Sequence, residues 1–477
     1  MRKALCLTGL LAALAVGGTI GLNTAVNAAA DRVTMTETTL QGNAAAAAGL
    51  QLHARMEYAE QLFWNIDCDL GGPLAPTTTY EFYISEQYST GTNTDTGVHL
   101  ESYLEYGLDY EKDAEEQQGL GKAFKQLADT IGPGEEAETT VYVKDYFDYY
   151  PLSMSVDIGG RFFNFTESEY LQYCPDGEAV VELSPEYDVE LFAHLRQFFR
   201  IPVLPDQTVS ISIGKHTNGH IGSMGSGSTD SDCFYMNTHS VVTPGMCYFT
   251  FSPLSEQGKL MDLSLIPGGY GLYALPWTAE GGVYGDTVQA HGDQLAMVYP
   301  LSTEAEILLL QLSDDGSALL LHTKENDRYI LTVIDLATMT TRQKLDVCAW
   351  PEEGHGLGVY SSQTDGTRYF AAMPGYENFY LLVEENGQYT VKFSHPWDNE
   401  LNMHHYFTDL CWNGETLAIG YSSHYRQGFP VQFGVAVYDA DALLYTGTYG
   451  TSLHTGTAEN FYSYYCQPAQ AMQLRWK

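Results

Sequence analysis

A short turn-and-strand phrase returns at nearly constant intervals through the C-terminal half of this chain, and it restricts the fold more than any other feature. Leu312-Ser-Asp-Asp-Gly-Ser-Ala-Leu-Leu-Leu321 is followed by Ser362-Gln-Thr-Asp-Gly-Thr-Arg-Tyr-Phe-Ala371 and by Leu410-Cys-Trp-Asn-Gly-Glu-Thr-Leu-Ala-Ile419. The turn glycines Gly316, Gly366 and Gly414 are 50 and 48 residues apart. Asp-Gly and Asn-Gly supply the positive-φ positions of a tight hairpin, and an apolar run follows each one.

A second strand follows at a similar offset in each unit: Tyr329–Leu336, Phe379–Glu384 and Phe433–Asp439. A fainter one closes each unit near Arg342–Val347, Tyr389–Ser394 and Leu443–Tyr449. The Val333-Ile-Asp-Leu-Ala-Thr338 and Val437-Tyr-Asp-Ala-Asp441 endings resemble those of WD-repeat-like bacterial β-propellers, without the Trp-Asp and Gly-His signatures of true WD repeats. The order of segments also resembles uncharacterised exported bacterial proteins. These resemblances imply a fold and no activity: a mainly β chain of propeller-like repeats, about five or more blades, with an N-terminal α+β region. A β-sandwich is the competing all-β fold.

Two further segments enter that count. Val209–Gly214 with Cys247–Phe251 is expected to form an upstream blade over Val209–Phe251. Ala290–Met297 repeats the turn pattern, but Gly292 lies only 24 residues before Gly316. It is either a compressed blade or a second hairpin within one.

The N-terminus carries Arg2-Lys3, an apolar stretch from Ala4 to Leu22, and small residues at Ala25-Val-Asn-Ala-Ala-Ala30. That is the order of a secretory signal over 1–30, with cleavage expected after Ala28 or Ala30 and an uncleaved anchor as the alternative. A low-complexity lead-in over 31–50 precedes an α+β region over 51–205, which itself contributes a blade or stands apart, and then the propeller-like domain over 206–477. In the α+β region the apolar spacing predicts amphipathic helices at Lys112–Ile131 and Val189–Arg200, with strands at Thr139–Val143 and Leu152–Ile158 between them. Outside the N-terminus no stretch reaches the length needed to span a bilayer as a helix.

Charge sets the expected partners. With 22 Lys+Arg against 60 Asp+Glu, the formal net charge is −38. The long-range Coulomb term then repels nucleic acid and anionic membrane surfaces. An extracellular protein or glycan is the expected partner, the acidity serving solubility or a cationic or Ca²⁺-bridged contact. Thirty-five tyrosines suit strands. Tyr146–Tyr150 and Phe461–Tyr465 would also suit stacking on sugar rings.

Catalytic patterns are missing. Gly222-Ser-Met-Gly-Ser-Gly-Ser228 has the composition of a nucleophile elbow without its register and reads as a flexible loop. Asn93-Thr-Asp-Thr-Gly97 fails the spacing of a calcium loop, and Asp230–Asp232 and Asp314–Asp315 read as turn residues. His395, His404, His405 and His424 fall within 30 residues, yet adjacent strand residues face opposite ways, so His404 and His405 do not share a metal without a bulge. Beyond Cys6 there are seven cysteines with no CxxC, and only Cys233 and Cys247 suggest a bridge. No catalytic, cofactor-binding or metal residue is nominated and no cofactor is expected. The expected function is a secreted or surface-bound binding or sensing module. A carbohydrate-active enzyme using carboxylates at a channel mouth is the alternative.

Overall fold

The structure is a computed structural model that describes residues 2–30, 32–58, 62–82, 96–102, 104, 108, 113–174, 188–227, 234–255, 262–282, 285–352, 354, 356–364, 366–397, 407–422, 432–452 and 471–477. The chain is mostly β, in small antiparallel sheets, and divides into two compact units. Unit 1 combines Met1–Thr92 with Trp350–Lys477; unit 2 is Asn93–Ala349.

The first segment of unit 1 opens with helix α1 (Arg2–Ala30), an exposed helix whose Leu11–Ala28 stretch is long and apolar enough to cross a membrane. Strands β1 (Met35–Gly42), β2 (Leu50–Tyr58), β3 (Leu62–Asp69) and β4 (Thr77–Phe82) follow.

In unit 2, β5 (Gly97–Ser102), β7 (Leu152–Ile158) and β8 (Arg161–Thr166) form one sheet, and β6 (Glu136–Tyr142), β9 (Thr208–Lys215) and β10 (Ile221–Gly227) a second. A third contains β11 (Phe234–Thr243), β12 (Met246–Ser255), β13 (Gly271–Gly282), β14 (Gly285–Ala290) and β15 (Ala296–Pro300). The fourth runs in chain order through β16 (Ala305–Leu312), β17 (Ala318–Glu325), β18 (Arg328–Asp335) and β19 (Thr340–Ala349). β7 alternates buried and half-buried positions, the mark of a strand with one dry face. β17 is buried at six successive positions, Ala318 to Thr323, which explains its unbroken apolar run.

Among the described residues three helices cover these sheets. In α2 (Gly119–Ala128), Leu120, Phe124 and Ala128 recur on the buried face; the helix begins at Gly119, after a turn at Asp113–Glu116, and Lys112 lies outside the described residues. Helix α3 (Glu167–Tyr173) carries a Thr166/Glu169 capping box. In α4 (Val189–Phe199), Leu191, Phe192, Leu195 and Phe199 are buried and the Asp188 carboxylate caps the Leu191 N–H at 2.9 Å. Glu167 and Arg196 join α3 to α4 through a bidentate pair with side chains 12% and 17% exposed.

Unit 1 resumes with β20 (Leu357–Thr364), β21 (Thr367–Pro374), β22 (Asn378–Glu385) and β23 (Gln388–Pro396), again in chain order. The next sheet is β24 (Phe407–Trp412), β25 (Leu417–Ser422), β26 (Gln432–Tyr438) and β27 (Leu443–Thr451), with β1 added against β27 from the other end of the chain. Strand β28 (Ala471–Trp476) completes a sheet with β2, β3 and β4, pairing Leu50 with Trp476 and Leu52 with Leu474. Both ends of the folded chain are thereby woven into sheets begun by the other.

The repeat maps directly onto these sheets. Gly316 (φ 68°), Gly366 (φ 79°) and Gly414 (φ 100°) each occupy the turn between the first and second strands of a four-strand meander, in the left-handed region that glycine enters without steric cost. Leu331, Val333, Leu382 and Val435, on the strands that come next in each unit, are 0%, 4%, 0% and 0% exposed. Within unit 1 the leading strand β20 lies beside β24, and β24 beside β28; within unit 2, β5 lies beside β11 and β11 beside β16.

Three expectations change. The segment Val209–Phe251 is not one blade, because β9 pairs with β6 and β10 while β12 belongs to the sheet of β11 and β13. The Gly222–Ser228 stretch is not a flexible loop through Gly227: it forms β10, where small side chains let the strand lie close on Ser212 and His216. Ala290–Met297 is neither a compressed blade nor a second hairpin: β14 and β15 pair with β13 one after the other in the same antiparallel sense, as a single strand interrupted by a 3₁₀ turn at Gly292–Gln294. Residue 205 lies inside unit 2, where β6 pairs with β9 across it.

Candidate functional site

Alternation along β22 and β23 turns Val383 and Phe393 inward, and Trp412 closes the end of β24; all three are buried. Phe393 and Trp412 pack with ring centroids 5.7 Å apart and planes at 57°. They form the apolar floor of a surface cleft of about 580 Å³ between the ends of the β20–β23 and β24–β27 sheets.

Carboxylates make the walls, because acidic residues fill the hairpin turns at this end. Glu384 and Glu385 come from β22, Glu415 from the turn after β24, and Asp439 and Asp441 from the turn after β26. Lys392 is the one basic residue in the lining. Its Nζ lies 2.5 Å from Glu385 Oε1, and Glu384 is held in a two-pronged pair by Arg368 of β21. These pairs neutralise one wall and leave Glu415, Asp439 and Asp441 to give the opposite wall its negative charge.

Asp439 is fixed by its own turn. Its Oδ1 accepts the N–H groups of Ala442 and Asp441 at 2.8 and 2.9 Å, and these two bonds hold its carboxyl below the usual carboxylate range. His395 Nε2 sits 2.8 Å from the Asp439 carbonyl oxygen, and its ring stacks on Tyr438 at 5.3 Å. The cleft can therefore offer ionised oxygens above an apolar floor, an arrangement suited to a cation with an attached hydrocarbon stem.

Other sequence candidates have structural places or lie elsewhere. Of the four clustered histidines only His395 is described; His404, His405 and His424 lie outside the described residues. Among the described residues no group of three His, Cys, Asp or Glu is arranged to hold a metal ion. Asp315 Oδ1 accepts from Ser313 Oγ and Ser317 N–H at 2.8 and 3.0 Å, the turn role expected of it. Asn93–Asp95, Asp230–Asp232, Cys233 and Phe461–Tyr465 also lie outside the described residues, while Cys247 is buried in β12. In the first tyrosine run, Tyr150 is buried and Tyr149 lies under the Arg200 guanidinium at 3.7 Å.

The carboxylates whose pKa rises are not in the cleft. Burial pushes Asp188, Glu306 and Asp409 up, and Asp188 and Asp409 are tied to the backbone N–H groups of Leu191 and Leu474. The cleft itself had one sequence signal: aligning the units on their turns places Glu384-Glu385, Glu415 and Asp439-Ala-Asp441 at the same ends of adjacent hairpins.

No family model matches this chain, and no curated protein matches it. Solved structures give distant likenesses. The β-propeller domain of Cps50 (Swd1) from Myceliophteria thermophila is 9% identical over 55% of this chain and 85% of its own, with a TM-score of 0.23. An exo-β-1,3-galactanase from Clostridium thermocellum is 10% identical over 44% of this chain and 47% of its own, with a TM-score of 0.22. A protein from Lactobacillus plantarum is 9% identical over 89% and 99%, with a TM-score of 0.27. Likenesses of this size carry no activity to the chain, and the description of the fold rests on its own sheets.

Proposed function

We propose that this protein is an exported, propeller-like binding module whose ligand face is the carboxylate-walled cleft at the ends of the β20–β23 and β24–β27 sheets. The cleft carries the reading: an apolar floor of Phe393 and Trp412 beneath Glu415, Asp439 and Asp441 suits lysine- or arginine-bearing segments of an extracellular protein. Meander sheets, turns at repeated positions and leading strands lying side by side within each unit support blades. The apolar helix α1 after Arg2-Lys3 supports export, with release after Ala28 or Ala30.

The enzymatic alternative, a carbohydrate-active protein, needs one carboxylic acid kept protonated beside an ionised carboxylate. In the cleft Asp439 is shifted the other way. The purified mature protein should be screened against basic peptides, neutral oligosaccharides and polysaccharides, recording both binding and product release. Retention of basic peptides alone supports the binding module. Turnover of a polysaccharide without peptide binding would replace it with the enzyme.

A further inference from the structure

The chain has three Asn-Gly sequences: Asn218-Gly219, Asn386-Gly387 and Asn413-Gly414. Glycine after asparagine exposes the asparagine side chain to attack by the next backbone nitrogen, because no Cβ shields it. The three sites differ in how the asparagine carboxamide is held.

In Asn413 both ends of the side chain are engaged. Oδ1 accepts from the N–H groups of Glu415 and Thr416 at 3.0 and 2.8 Å, and Nδ2 donates to Thr416 Oγ1 at 2.9 Å. In Asn218, Oδ1 accepts from the His220 N–H at 3.0 Å. Asn386 is different. No hydrogen bond within the described residues restrains its carboxamide, and it is exposed at the tip of the hairpin between β22 and β23. Its own φ is 53° and that of Gly387 is 78°, the two positive values of a two-residue turn. Nothing lies within 4 Å of where a Cβ on Gly387 would stand, so a ring built over that nitrogen meets no obstacle. Gly414 is equally open, which leaves the side-chain bonding as the feature that separates the two.

We propose that Asn386 is a site of spontaneous deamidation in the folded protein, and that Asn413 is protected from it. The Gly387 nitrogen, giving up its proton to water, attacks the Asn386 side-chain carbonyl carbon. A C–N bond forms to close a succinimide, the bond to the side-chain nitrogen breaks, and ammonia leaves. Water then opens the ring at either carbonyl, giving aspartate or isoaspartate with no change of oxidation state. Either product adds a negative charge beside Glu385, the carboxylate paired with Lys392. Isoaspartate also inserts a methylene into a turn that sets the Glu385↔Gln388 and Glu384↔Tyr389 register, and so acts on the wall of the cleft.

The test is peptide mapping with isoaspartate detection after incubating the native full-length protein at mildly alkaline pH, beside the same protein held unfolded in urea. Conversion at Asn386 several-fold faster than at Asn413 or Asn218 in the native protein, with the rates drawing together in urea, is expected. Native conversion at Asn413 or Asn218 as fast as at Asn386, or an Asn386 that stays intact while the unfolded chain converts, would overturn the proposal. Asn386→Gln should abolish the acidic species that accumulates on ion exchange, and Asn413→Gln should leave it. Should Asn386→Gln fold poorly, Asn386→Asp provides the second check: it should elute with the aged wild-type species, and a different elution position contradicts the assignment.

Discussion

The backbone N–H of Trp412 donates to the hydroxyl of Tyr369 at 3.0 Å, across the boundary between the β20–β23 and β24–β27 sheets. Tyr369 is 2% exposed and Trp412 is 8% exposed, so water does not replace either partner. A bond made by a buried phenol thus fixes the strand end that supplies the cleft floor.

Tyr369→Phe should therefore destabilise the protein by about 1–3 kcal/mol, the cost of leaving a buried donor unsatisfied. Urea unfolding with an unchanged m-value would register it as a lower midpoint. A change within a few tenths of a kcal/mol would show that Trp412 is positioned by packing alone.

Arg368 and Glu384 should behave as a coupled pair. Their side chains are 24% and 14% exposed, well short of a solvent-screened surface bridge. A double-mutant cycle with Arg368→Met and Glu384→Gln is expected to give a coupling of about 1–3 kcal/mol. A value near zero would make the pair incidental to the cleft wall.

Stability should fall on mild acidification partly because of His322. Its ring is 0% exposed, Nδ1 lies 2.7 Å from the Tyr329 hydroxyl, and burial, aided by His239, pushes its pKa down to about 3. Unfolded histidine titrates near ~6.5, so the unfolded chain takes the proton first. The contribution is complete above that value and is lost as pH falls from about 6.5 toward the folded value. Between pH 7 and pH 5, wild type should lose about 2 kcal/mol more than His322→Gln through this ring alone. Parallel curves for the two proteins would contradict the assignment.

Deleting the chain through Gly42 should uncover β27, which loses its outer partner β1. Hydrogen exchange is expected to accelerate in β27 and leave β16–β19 of unit 2 unchanged. Unaltered protection in β27 would mean that β1 adds nothing to the sheet.

Much of this architecture was legible because each meander is local. The turns at Gly316, Gly366 and Gly414 and the strands after them are contiguous in sequence, and their apolar runs report burial directly. Strand β10 was hidden because Gly, Ser and Met carry little strand propensity; its pairing with β9 overrides composition. The β1–β27 and β28–β2 pairs join residues some four hundred positions apart, beyond any local pattern. Helix α3 had left a sign, Thr166 followed by Glu169, that a search for periodicity alone passes over. The cleft was the least legible part, since its floor and walls come from separate strands and its acidic residues read as ordinary turn chemistry.

The measurement closest to the central claim is the affinity of a lysine- and arginine-rich peptide for wild type and for a Glu415→Gln/Asp441→Asn variant, by calorimetry at low and physiological salt. The account predicts binding by wild type that weakens as salt screens the carboxylates, and a loss of roughly tenfold in the variant, about 1.4 kcal/mol for the two charges together. Equal affinity in both proteins, or equal retention of a neutral peptide, would contradict the cleft as the ligand face.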